Sequence, residues 1–466
     1  MKKFLGIQLS PTIVQYEGLQ AVMDRIQDVG ADAVCLGFGI ARPAEPGQGR
    51  REPPLDIDGW ERLLDRPLWG KRELWLHGYR THDYDVSLFA DTPYHPGGEL
   101  APEARDREVP MAIVAEAHAR GMRAHVQASP TVVPGLRPED DIVYPDGSHP
   151  DPNRRVARQG CLNSPAVRAY GLALVRDTIR HSANADGLCL DWVEYTTYTL
   201  EDHFACLCPH CAAAAGAAGY DWERIRRDVT AMWDRLHNLT SRDLERAARI
   251  ATRPWEAAEL LQAYPGWLDF LRFKADTVRG WYADVRRAMD EEGASTMELG
   301  ANGWAPPFNR SSGMDYRGLA DIVQTVRPKL FTFHWSALPR WYGETLLRWN
   351  PALSERQLLD ALVACLDLPD AVSPRSFASY HIPAPEDDHP ATPESWRAKL
   401  DEVVDQVGAG SGGRCRCYAY AHSYRSEAQW KRMVAVVRDS RVDGMWVQRY
   451  EYMNDDKLAA LKGMWR

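Results

Sequence analysis

The residue types that can do chemistry are concentrated in residues 186–211, DGLCLDWVEYTTYTLEDHFACLCPHC. Leu188, Cys189 and Leu190 make a short apolar run of the kind that forms a buried strand. Asp191 and Glu194 follow it directly, flanked by Trp192 and Tyr195. Two carboxylates at the end of a strand suit acid/base work, in which one holds a proton and the other stays ionised. Cys206, Cys208 and Cys211 then supply three thiols at metal-ligand spacing. A closed zinc site needs a fourth ligand, for which His203, His210 and the more distant Cys161 are available.

The elements that must position these residues alternate between strand and helix signals. Strands are expected at residues 4–9, 33–36, 123–128, from 187, 296–301, 330–335, 414–420 and 444–448. Between them lie helical stripes such as Leu19, Val22, Met23, Ile26 and Val29, stopped by Gly30. Ser164-Pro165 is a helix start, and residues 319–326 read as a further helix. A ninth strand-like run, residues 376–380, is assigned to the long connection after the sixth strand. Repeated βα units without a Gly-rich phosphate loop predict one α/β domain over residues 1–466, a (β/α)8 TIM barrel with long loop insertions at the C-terminal face. Residues 41–108, carrying His77, His82, Asp83 and Asp85, are the loop insertion after the second strand. Residues 198–262 are a cysteine-containing and helical insertion after the fourth.

A second group of residues is expected at the barrel mouth. His334 and Trp335 would end the sixth strand, with Trp304 after the fifth. Tyr380, His381, His422 and Glu451 complete a substrate-binding set of hydrogen-bonding and ring-stacking groups. Glu298 sits deep enough in the fifth strand to read as an ion-pair partner. Seventeen tryptophans and nineteen tyrosines fit a protein that stacks flat ligands such as sugar rings.

Bulk composition narrows the partners. A formal net charge of −9 argues against nucleic acid, which needs a concentrated basic surface. No run approaches the ~18 apolar residues of a membrane span, and MKKFLGIQLSP is too polar for a signal peptide. Nine cysteines, three of them within six residues, then point to reduced thiols and metal, and to a cytoplasmic protein.

CLNSPAVRAY, DWVEY and CLCPHCAAAAGAAGYDWERI, within residues 155–235, resemble the zinc-containing family 42 β-galactosidases and related glycoside hydrolases of unassigned activity. The later segments GMDYRGLADIVQTVRPKLFTFHW and VDGMWVQRYEYM are similar to barrel ends of the same group. The resemblance implies a structural zinc on Cys161, Cys206, Cys208 and Cys211, an acid/base role for Glu194, a carbohydrate substrate and a homo-oligomer. The family's acid/base glutamate follows an asparagine, whereas Val193 precedes Glu194. The family's nucleophile ends the seventh strand, where residues 415–424 contain no carboxylate. The second carboxylate is therefore assigned to Asp191, and an extended chain between the two favours inversion. A glycosidase is the leading expectation. The alternatives are a glycan-binding pseudoenzyme and a metal-dependent hydrolase, whose usual His-x-His opening is replaced by Gln8-Leu9-Ser10.

Overall fold

The computed structural model describes residues 2–97, 103–154, 159–182, 184–368 and 375–465. Part of the insertion expected at 41–108, and the first residues of the family-like segment at 155–235, lie outside this description.

Eleven strands occur among the described residues: β1 Phe4–Gln8, β2 Ala33–Leu36, β3 Gly39–Ala44, β4 Arg50–Glu52, β5 Leu74–Arg80, β6 Arg123–Ala128, β7 Gly187–Leu190, β8 Glu298–Trp304, β9 Thr325–Leu330, β10 Arg416–His422 and β11 Gly444–Gln448. Eight of them close a parallel barrel in the order β1-β11-β10-β9-β8-β7-β6-β2. The first and last strands meet with Phe4 opposite Gly444. Helices wrap the barrel, as the βα pattern requires.

The barrel interior is filled rather than hollow. Trp446 crosses it, and a Cβ at Gly6 would fall 2.3 Å from the Trp446 ring, so only glycine lets the indole lie there. The Arg327 guanidinium stacks 4.1 Å from the centre of the same ring, and His125 meets it edge-on at 5.1 Å. At the lower end Glu298 pairs with Arg123 at 3.0 Å and Arg327 at 3.7 Å, the ion-pair role expected of it.

Two sequence expectations change. The sixth barrel strand is Thr325–Leu330, not residues 330–335, and the helix read at 319–326 is confined to Tyr316–Leu319. The apolar run after Leu330 opens the helix Thr332–Trp349 instead. The true strand alternates Arg327 and Lys329, cations whose burial is made tolerable by carboxylates across the barrel. Residues 376–380 hold a short 3-10 turn, Phe377–Ser379, so the count of eight stands.

The insertion after β2 is partly a sheet. β3, β5 and β4 form an antiparallel ribbon in that order, and the segment between β4 and β5 brings Asp56 to His334 at the barrel mouth. Arg449 pairs with Glu52 at 2.6 Å, and Lys457 with Asp65 at 2.6 Å, tying the insertion to the end of the chain. His82, Asp83 and Asp85 face helices, through Asp177 at 2.9 Å, Arg107 at 3.0 Å and Arg180 at 2.7 Å. The insertion after β7 consists of the helices Pro209–Ala217, Trp222–Leu236, Ser241–Ala247 and Pro254–Ala263, and the long helix Pro265–Glu291 returns to the barrel. Among the described residues no helix is long and apolar enough to cross a membrane.

Candidate active site and thiol centre

β7 delivers Asp191 to the mouth, and the chain then turns. Trp192 adopts φ 65°, a left-handed conformation that costs a non-glycine residue roughly 1–2 kcal/mol. Gln159 Nε2 holds the turn, donating to the carbonyls of Trp192 at 2.6 Å and Glu194 at 2.7 Å. The turn folds Glu194 back over the barrel beside Asp191.

Both carboxylates converge on one cation that sequence reasoning missed. Lys329 Nζ from β9 lies 2.9 Å from Asp191 Oδ1 and 2.6 Å from Glu194 Oε1. Those two oxygens can be no farther apart than the sum of these distances, about 5.5 Å. The second oxygen of Glu194 accepts from the Trp304 backbone N–H at 2.9 Å. Glu194 is 1% exposed and Asp191 7%, so Asp191 is the more open member. Burial pushes the Glu194 carboxyl above its usual range, against the pull of Lys329. The two carboxylates hold the Lys329 ammonium above the ordinary lysine range although burial opposes this.

Aromatic rings wall the pair. The Trp192 ring centre is 5.2 Å from Lys329 Nζ, and Tyr198 packs edge-on against Trp304 at 5.0 Å and His334 at 5.1 Å. His334 sits in the first turn of Thr332–Trp349, where its Nε2 meets Asp56 Oδ1 at 2.9 Å. Asp56, carried in by the insertion, also pairs with Arg62 at 3.0 Å. Nearby, Gln8 Nε2 donates to Gln127 Oε1 at 3.0 Å, and the Tyr420 hydroxyl donates to Gln8.

The remaining expected residues are dispersed. His422 ends β10 and is buried among Phe331, Phe333 and Tyr452, its Nδ1 accepting from the Tyr424 N–H at 3.0 Å. Glu451 is buried, and its Oε1 takes the Ser10 N–H at 2.9 Å, pinning the end of β1 to the end of β11. Trp335 faces Lys399 at 5.8 Å, outside the barrel. Tyr380 packs with Leu359 and Val363 in a separate small core. His381 stacks on Trp60 at 5.5 Å beside a surface groove that also involves Asp387. The structure thus brings together Asp191, Glu194, Trp304 and His334, and leaves Trp335, Tyr380 and His381 apart.

The thiol centre is compact. Cys161, Cys206, Cys208 and Cys211 are buried, and one ligand atom from each lies within 4.8 Å of all the others. Cys161 Sγ is 3.3 Å from Cys208 Sγ and 3.6 Å from Cys211 Sγ. Tetrahedral zinc with bonds of about 2.3 Å places its sulfurs about 3.8 Å apart, so this donor set fits the metal. Backbone N–H groups of Val143, Asn163 and Cys211 point at Cys206, Cys161 and Cys208 at 3.3, 3.4 and 3.5 Å, the environment a thiolate needs. His203 is engaged elsewhere, by Ser311 at 2.7 Å and Tyr342 at 2.9 Å, and His210 by the Glu139 carbonyl at 3.1 Å. The fourth thiol is therefore that of Cys161.

No protein-family model matches the sequence, and no curated protein is significantly similar to it. Solved structures do share the fold. The catalytic domain of a β-amylase from Paenibacillus polymyxa is 8% identical, with 99% of this chain and 97% of that one covered and a TM-score of 0.50. The glycoside hydrolase domain of PgaB (BpsB) from Bordetella bronchiseptica is 12% identical over 100% of this chain and 99% of its own, at a TM-score of 0.48. A β-galactosidase from Bacillus circulans sp. alkalophilus is 13% identical over 75% of this chain and 43% of its own, at 0.36. At these identities the likeness speaks for the barrel alone. The reaction has to be argued from the site.

Proposed function

We propose that this chain is a glycoside hydrolase-like barrel enzyme that cleaves a glycosidic bond with Asp191 and Glu194. The observation that carries the reading is the carboxylate pair gathered on Lys329 at the C-terminal end of β7. Such hydrolysis needs one carboxyl holding a proton for the leaving oxygen and one carboxylate opposite the sugar carbon. Two carboxylates and one ammonium, all buried, carry one excess negative charge, and taking up a single proton neutralises the group. Burial assigns that proton to Glu194. Asp191, the more open of the two and beside the ammonium, takes the nucleophile or base role. A spacing of at most about 5.5 Å falls short of the ~6.5–9.5 Å that inverting enzymes need for a water, so with the turn at Trp192 the pair favours retention over the inversion expected of an extended chain. Lys329, held charged, is no amine nucleophile; its work is electrostatic. The buried Tyr198 and Trp304 exclude water, and the half-buried Trp192 offers an apolar face to a sugar.

The four thiols would hold one structural zinc, which would tie the segment before the helix Pro165–His181 to the loop after β7. Bound there, the metal supplies cross-linking and no reactive position, because all four ligands come from protein. The family 42 resemblance of this segment supports the same ligand set.

The test is turnover of paired substrates. Glu194→Gln should abolish cleavage of glycosides with poor leaving groups while partly sparing activated aryl-glycosides, and equal wild-type rates on both would remove Glu194 from the acid role. A second reading, a glycan-binding barrel without catalysis, is favoured by the complete engagement of both Glu194 oxygens. Binding without turnover across a broad panel of aryl-glycosides and oligosaccharides would select it.

A further inference from the structure

Beside the reacting pair, a cavity of about 510 Å³ opens between the barrel and the insertion sheet. It is lined, among others, by Phe38, Arg50, Arg80, Gln127, Ser129 and Tyr170. Ala128 also lines it, and its carbonyl accepts the Asp191 N–H at 3.0 Å, so the cavity lies against the end of the strand next to the one that carries Asp191. The volume suits a small ligand such as one or two sugar rings.

The charge of this cavity runs against that of the chain. The formal net charge is −9, yet the described lining residues include two arginines and no carboxylate. Arg80 is partly neutralised by Asp177 at 3.4 Å, outside the lining. Arg50 has no ion-pair partner among the described residues, although its neighbour Arg51 pairs with Glu61 and Glu73. The Gln127 oxygen is taken by Gln8 at 3.0 Å, which leaves its NH2 group for a ligand. Ser129 and Thr178 add hydroxyls. Donors and positive charge therefore line the space, while the half-buried Phe38 supplies apolar surface.

We propose that this cavity is a subsite for an acidic sugar, one bearing a carboxylate or a sulfate, and that Arg50 reads the charge. The proposal rests on the glycosidase reading and deepens it by naming the substrate class. Guanidinium recognition of either anion is charge-assisted and directional.

The test is calorimetric titration of the full chain with glucose, glucuronate and glucose 6-sulfate. At least one acidic sugar should bind about tenfold tighter than glucose or better. The margin should shrink at high salt, and Arg50→Gln should remove it without lowering the thermal midpoint. A margin for glucuronate alone assigns a uronate, and one for the sulfate ester alone assigns a sulfated sugar. Equal binding of all three, or a margin that survives Arg50→Gln, overturns the proposal. These monosaccharides carry no glycosidic bond, so the margin is read independently of hydrolysis; the margin intact with no cleavage across the glycoside panel contradicts the hydrolase reading instead.

Discussion

At the residue scale the site depends on Lys329, a cation 3% exposed that holds two carboxylates. Removing it leaves both carboxylates buried without a counter-charge. Lys329→Met should therefore destabilise the fold by about 3–5 kcal/mol, read from the urea midpoint at neutral pH. A midpoint within error of wild type would mean that the triad contributes nothing to the fold. The pH dependence follows from Glu194. Its folded-state pKa is raised by burial, so the stability it contributes is present below the ordinary carboxyl value of about 4.3 and is lost as pH rises through the folded value. The same proton serves as the general acid. Activity should fall on the alkaline side as Glu194 ionises, and Glu194→Gln, assayed on activated aryl-glycosides, should lack that limb. Persistence of the limb in the variant would place the acid elsewhere. Asp191 and Glu194 were legible from the sequence because they follow a short apolar strand. Lys329 was not, since a lysine two residues after an arginine and next to Pro328 looks like surface until its partners across the barrel are known.

At the scale of elements, the strands that were legible are those with a short apolar run or a regular apolar alternation. β2, β6 and β11 have the limits the pattern implies, and Ser164 caps its helix by accepting from the Val167 N–H at 3.3 Å. β9 was displaced because its inward positions are charged, and the apolar run beside it, LFTFHW, belongs to a helix buried against the barrel. The ribbon β3-β5-β4 was hidden because Pro, Gly and charge are as common in short exposed strands as in loops. Three ligands of the thiol centre were legible from their spacing within residues 206–211, whereas the fourth, Cys161, came only with the family resemblance. The centre's prediction belongs here. Elemental analysis should give one zinc per chain. Cys208→Ser should lose the metal and expose the backbone of residues 199–217 to hydrogen exchange, while the barrel strands stay protected. A metal-free protein with full activity and unchanged exchange would refute the site.

At the scale of the whole molecule, β1 pairs with β11, so the barrel closes only when both ends of the chain are in place. Association is expected on top of this closure. Trp255 is 80% exposed on the helix Pro254–Ala263, none of whose residues is buried. Light scattering should find a species larger than the 52.6 kDa chain, and a purely monomeric solution at micromolar concentration would contradict this. The arrangement that carries the proposed chemistry is two carboxylates about 5.5 Å apart or less above a filled barrel and under a pinned insertion. The most direct measurement is NMR of the first-formed sugar during turnover of the best substrate from a broad glycoside screen. The account predicts cleavage with net retention of anomeric configuration, abolished by Asp191→Asn. Inversion, or cleavage that survives Asp191→Asn at the wild-type rate, would contradict it.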